Sequence, residues 1–141
     1  MADITFKKEV LREATASGRI QLKPSTIARI RKGQIAKGDP MAAAEVAAVL
    51  AAKNTPQMLP FCHPIPITNV LTEARIGTSS ITVQSTVRTT ARTGVEMEAL
   101  NAASTYLLTL WDMVKQYEKD SRGQYPETRI VDLGVLRKSK G

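Results

Sequence analysis

The sequence predicts an α+β sandwich in which helices cover one antiparallel sheet. Three patterns carry that prediction. An alternating stretch with Ile81, Val83, Ser85 and Val87 on one face follows a second strand-like run across Gly77-Thr78-Ser79, and the two read as a β-hairpin. A long stretch at 95–119 sets Ala99, Ala103, Leu107, Leu110, Val114 and Tyr117 at spacings of four and three, the stripe of a helix lying on a sheet. An Ala-rich run at 41–53 opens on Asp39-Pro40, an N-cap followed by proline at the first helical position.

Taken in order, residues 12–22 mix polar and apolar positions around Gly18 and read as a first strand. Ser25 or Thr26, after Pro24, can cap a short helix through Lys32, with Gly33 as the left-handed residue that ends it. The 41–53 helix follows. Pro56, Pro60, Pro64 and Pro66 fit neither a helix interior nor a sheet ladder, so residues 54–66 read as an extended loop. Strands at 68–76 and 80–89 make the hairpin, and the 95–119 helix then spans about 37 Å. Leu108 and Trp111 lie about 100° around from its main stripe, which predicts a second buried surface, on this subunit or another. Residues 129–136 close the sheet. Strand, two helices, hairpin, helix, strand is the order of a ferredoxin-like sandwich with four antiparallel strands.

Size and composition bound the possibilities. With 141 residues and no internal repeat, low-complexity tract or long linker, residues 1–141 read as a single domain. Cys62 is the only cysteine, so no intramolecular disulfide forms, and no apolar run reaches the roughly 18 residues of a membrane span. The opening Met1-Ala2-Asp3-Ile4-Thr5-Phe6-Lys7-Lys8 lacks the apolar core of a signal peptide, and a cytoplasmic location is expected.

The net charge of +7 is uneven: residues 1–37 carry nine Lys or Arg against three acids, and the remainder eleven against ten. On charge alone, a solvated basic face and an anionic partner are both open. Aromatics make up 4% of the chain, and there is no zinc-ligand spacing, helix-turn-helix pattern or aromatic RNA-binding motif, which argues against nucleic acid as that partner.

Candidate chemistry gathers in the long helix and the proline-rich loop. Glu96, Met97 and Glu98 fall in the first helical turn, where acids oppose the dipole, so ordinary capping accounts for them as well as function does. Successive residues diverge by about 100°, which points Glu96 and Glu98 to different neighbours. Asp112 and Lys115 stand one turn apart, as an exposed ion pair or as an acid–amine couple that handles protons. His63 and Cys62 sit where prolines limit the backbone; alone, each reads equally as a packed loop residue. No set of residues has metal-ligand spacing.

Four segments occur in the right order: Lys37-Gly38-Asp39, Leu59-Pro60-Phe61-Cys62-His63-Pro64, Thr93-Gly94-Val95-Glu96-Met97-Glu98-Ala99-Leu100 and Asp112-Met113-Val114-Lys115. They resemble the signature segments of the MoaC family, the cyclic pyranopterin monophosphate synthases of molybdenum cofactor biosynthesis, and the similarity runs from about Asp3 to Lys138. The resemblance implies a ferredoxin-like fold and a homohexamer built as a trimer of dimers, with active sites at subunit interfaces. It implies a lyase that converts 3′,8-cyclo-7,8-dihydro-GTP to cyclic pyranopterin monophosphate and pyrophosphate, with no cofactor, metal, nucleic acid or membrane required.

By resemblance, Asp112 and Lys115 are catalytic. Phe61, Cys62, His63, Met97, Glu98, Lys37, Arg12, Glu96, Asp3 and Lys138 serve substrate binding, with Glu98 placed to accept the N–H donors of a guanine-type edge. Three departures mark this chain: Phe61 replaces a usual Leu, Ala91-Arg92 replaces Gly-Lys, and the C-terminal glycine-rich segment is short after a linker about seven residues longer than usual. Basic neighbours such as Lys37 are expected to depress the Lys115 amine, and Lys138 is expected on a frayed tail that closes over phosphates. A catalytically inert nucleotide or pterin binder is the alternative reading, and a basic nucleic-acid protein a more distant one.

Overall fold

Every second residue of the strand Ser80–Ala91 is buried, from Ile81 to Ala91, and this alternation sets one apolar face of a four-stranded sheet. The computed structural model describes residues 1–141. Its elements are β1 (Val10–Gln21), α1 (Pro24–Arg31), α2 (Pro40–Lys53), α3 (Thr55–Met58), β2 (Ile67–Ile76), β3 (Ser80–Ala91), α4 (Glu96–Glu118) and β4 (Arg129–Lys140). All pairings are antiparallel and the strand order is β2-β3-β1-β4, the ferredoxin-like order expected from the sequence.

The core lies between that sheet face and the helices. Ala99, Ala103, Leu107, Leu110 and Val114 are fully buried, as their spacing predicts, while Ala102 and Tyr106 are buried one step around the helix. Small residues let α2 approach α4, with Ala44, Ala48 and Ala52 fully buried. Close approach also explains Gly18 on β1. A Cβ there would stand 2.8 Å from Leu107 Cδ1 and 3.2 Å from Leu133 Cδ1, so a side chain at this position would force those leucines to shift where α4 crosses β1.

Asp39 caps α2 as predicted, its carboxylate accepting from the backbone N–H groups of Met41 and Ala42 (3.0 and 3.3 Å). Gly33 follows α1 at φ +67°, also as predicted. The start of α1 differs. Pro24 takes the first helical position, so Ser25 and Thr26 fall inside the helix, and Lys23 occupies the cap without a side-chain bond. The fully buried Glu118 carboxylate from the far end of α4 does the capping: it accepts from the Lys23 backbone N–H, the Thr26 hydroxyl and the Thr128 hydroxyl.

Two other expectations are corrected. The 54–66 stretch is not wholly extended, because Thr55–Met58 forms a helical turn with Pro56 in its first positions, where a missing N–H costs nothing. Strand β4 continues through Lys140 rather than ending near 136, pairing Ala14 with Lys138 and Arg12 with Lys140, and the Gly141 N–H donates to the Leu11 carbonyl at 2.9 Å. Lys138 therefore belongs to the sheet and not to a frayed tail. Of the predicted second surface on α4, Trp111 packs edge-on against Tyr125 of the same chain, at 5.2 Å and 74°, whereas Leu108 remains 57% exposed. No helix is long and apolar enough to cross a membrane.

Candidate active site

The predicted site residues assemble at the two ends of α4. At its first turn Glu98 is 1% exposed; Oε2 accepts a hydrogen bond from the Cys62 thiol at 3.6 Å, while Oε1 is buried with no partner. Burial pushes the Glu98 carboxyl above its ordinary pKa, more than the Cys62 bond holds it down, and the Glu96 charge adds to the rise. Burial likewise raises the Cys62 thiol, with Glu98 contributing. Cys62 is thus a thiol facing a carboxyl that favours its neutral form.

His63 lies beside this pair in the chain and anchors the N-terminal segment, its Nε2 bonded to the Ala2 carbonyl at 2.8 Å. A carbonyl only accepts, so Nε2 carries hydrogen. The neighbouring Asp3 carboxylate accepts from Thr5 N–H and hydroxyl (2.9 and 2.6 Å), bonds that hold its pKa below the usual value. Phe61 and Met97 leave apolar surface in the open, at 75% and 41% exposure.

Next to Glu96 runs a basic cleft of about 370 Å³ between the start of α4, β1 and the end of β4. Arg12 is oriented there by donating from Nε to the Ala91 carbonyl (3.1 Å) and from Nη2 to the Arg92 carbonyl (3.4 Å). The departure at Ala91-Arg92 thus leaves two carbonyls that hold Arg12 in place. Lys138 Nζ stands 3.9 Å from the Glu96 carboxylate. Lys7 and Lys140 line the same cleft and were not singled out by sequence. The basic excess of residues 1–37 includes Lys7, but Lys140 joins only through the β1–β4 register.

At the other end of α4, two amines converge on one carboxylate. Asp112 Oδ1 is 3.0 Å from Lys115 Nζ and 3.4 Å from Lys37 Nζ, and Lys37 also donates to the Asp112 backbone carbonyl at 2.9 Å. The hydrogen bond and charge of Lys115, then those of Lys37, hold the Asp112 carboxyl below its usual range. Asp112 in turn raises the Lys115 amine. This reverses the expected direction: Asp112 Oδ1 lies 3.0 Å from the Lys115 amine, and its hydrogen bond and charge favour the ammonium form.

Glu98 and Lys115 lie roughly 25 Å apart along one helix, so the two groups of residues do not meet within a single chain. No three His, Cys, Asp or Glu side chains converge as metal ligands do.

A buried carboxyl with a raised pKa, an acid–amine ion pair and a cleft of four cations on a ferredoxin-like scaffold are the groups needed by a proton-transferring enzyme for an anionic small molecule. The MoaC family model matches residues 1–141, and the chain belongs to that family. It is 55% identical over 140 residues to a Sulfolobus acidocaldarius protein, covering 99% of this chain and 98% of that one. It is 52% identical over 141 residues to one from Aeropyrum pernix, covering 100% and 97%. A third relative, from Methanococcoides burtonii, is 51% identical over 140 residues, covering 99% and 88%. All three carry the name probable cyclic pyranopterin monophosphate synthase.

Proposed function

We propose that the protein is a lyase of molybdenum cofactor biosynthesis, acting in the cytoplasm, that converts 3′,8-cyclo-7,8-dihydro-GTP to cyclic pyranopterin monophosphate and releases pyrophosphate. The observation that carries this reading is the Asp112 carboxylate bridged by Lys115 and Lys37, in a chain half identical to relatives bearing the synthase name. With its pKa raised, Lys115 enters the reaction as an acid. It gives a proton to the ring atom released during rearrangement and takes one back as the new ring closes, while Asp112 stabilises the ammonium form.

Closure of the cyclic phosphate needs a substrate hydroxyl to attack the innermost phosphorus and pyrophosphate to leave. Arg12, Lys138, Lys7 and Lys140 supply the positive charge that such a leaving group requires. Glu98, with a buried oxygen that has no partner in the chain, reads the base-derived ring by accepting its N–H donors. Cys62, His63, Phe61 and Met97 wall that end, and Asp3 lies beside it.

A nucleotide-sized substrate does not reach along roughly 25 Å of helix. The working site therefore takes Glu98 and the basic cleft from one copy and Asp112, Lys115 and Lys37 from another. The assembly we assign is a homohexamer, a trimer of dimers. Exposed Leu108, Val46 and Leu50 on the helices are surfaces for it to cover.

Complementation tests this reading. Glu98→Gln and Lys115→Ala proteins should each be nearly inactive, and unfolding and refolding them together should restore pyrophosphate release at about a quarter of the sites. Mixed protein as inactive as its parents would show that each site lies within one copy. Light scattering at 15.4 kDa alone would reject the assembly.

A further inference from the structure

Lys37 reaches Asp112 from a loop, and its own side chain explains little of how it gets there. It is 40% exposed on a flexible four-carbon stem that ends at Asp112. Its reach is therefore set by where the loop between α1 and α2 puts its Cα. Ile35, 7% exposed, roots that loop in the core. Arg29 of α1 ties the residue before it, its carbonyl accepting from the Gln34 N–H at 2.9 Å and its Nη1 approaching the Gln34 carbonyl at 3.5 Å.

The last anchor before Lys37 comes from α4. The Ala36 N–H donates to the Tyr117 hydroxyl at 2.9 Å, and the Arg29 guanidinium lies 4.5 Å from the Tyr117 ring centroid, fixing the ring from its other side. The Ala36 bond is exposed, so water would satisfy that N–H at little cost. What the bond adds is geometry: it joins the residue before Lys37 to the helix that bears Asp112 and Lys115.

We propose that Tyr117 is a positioning residue for Lys37, its hydroxyl holding the loop where the lysine amine can bridge to Asp112. The proposal rests on the reading of Lys37 and Asp112 as members of the active site. Tyr117 makes no contact with substrate in this account; it acts through the Ala36 backbone.

The test is a double-mutant cycle in the assembled protein, with pyrophosphate release from the cyclised GTP substrate as readout. Tyr117→Phe removes the hydroxyl and keeps the ring under Arg29. It should lower kcat/KM about three- to tenfold, the scale of one net hydrogen bond, with its melting temperature near that of the parent. In a Lys37→Ala background the same change should cost nothing further. In Tyr117→Phe, mass spectrometry should also find Lys37 acetylated faster relative to Lys53, an exposed lysine of α2.

Equal losses from Tyr117→Phe in both backgrounds, or an unchanged acetylation ratio, would overturn the positioning role while leaving Lys37 in the site. A Lys37→Ala protein with unchanged kcat/KM would overturn the underlying reading of Lys37, and the positioning role with it.

Discussion

Glu98 and Lys115 stand at opposite ends of α4, roughly 25 Å apart along its axis, and each is held in a different protonation environment. One carboxyl is buried with an orphaned oxygen. The other end presents an exposed amine whose proton is held by Asp112. That distance exceeds the length of a nucleotide-sized substrate, so within one chain the two ends cannot act on the same molecule.

Lys115→Ala should fold, assemble and bind substrate, yet lose about 10² to 10⁴ in turnover, the usual effect of removing a proton-transfer group. Asp112→Asn should lose turnover too. It also removes the main influence that raises the lysine, so any residual activity should show its alkaline limb at lower pH than the parent. Single-turnover kinetics across pH measure both effects. Poor binding with normal turnover at saturating substrate would make Lys115 an electrostatic contact only.

Glu98→Gln should stabilise the fold at neutral pH while abolishing turnover. Folding raises the Glu98 pKa above its ordinary 4.5, so the native state binds the proton more tightly than the unfolded chain. The Glu98 contribution is most favourable below 4.5 and is lost as pH rises through the folded value. Glutamine escapes that loss. Thermal melts from pH 4.5 to 8 should show a gain for the variant that grows with pH; a gain largest in acid would contradict the sign.

Lys138→Ala should raise KM with little change in kcat, and the parent should lose affinity steeply as salt increases. Deleting residues 137–141 should do more, since Lys138, Ser139 and Lys140 pair with β1. A lower melting temperature for the deletion but not for Lys138→Ala separates the strand from the charge.

Gly18→Ala should cost about 1–3 kcal/mol through overpacking against Leu107 and Leu133 and lower the melting temperature by several degrees. Activity measured well below that temperature should survive, because Gly18 touches the core and not the cleft.

Much of the fold was legible because its signals are local. The alternation in β3, the α4 stripe, the Asp39 cap and the Gly33 stop each depend on residues within a turn or two of one another. Four ordered motifs likewise marked the residues at both ends of α4 before any geometry was known. Tertiary structure decided what rests on distant partners. Glu118 caps α1 from 95 positions along the chain, β1 draws β4 out to Lys140, and that register brings Lys140 beside Lys7 and Arg12. The sign of the Lys115 shift was of the same kind, since electrostatic influence falls with distance and only the folded structure shows the Asp112 carboxylate 3.0 Å from the Lys115 amine.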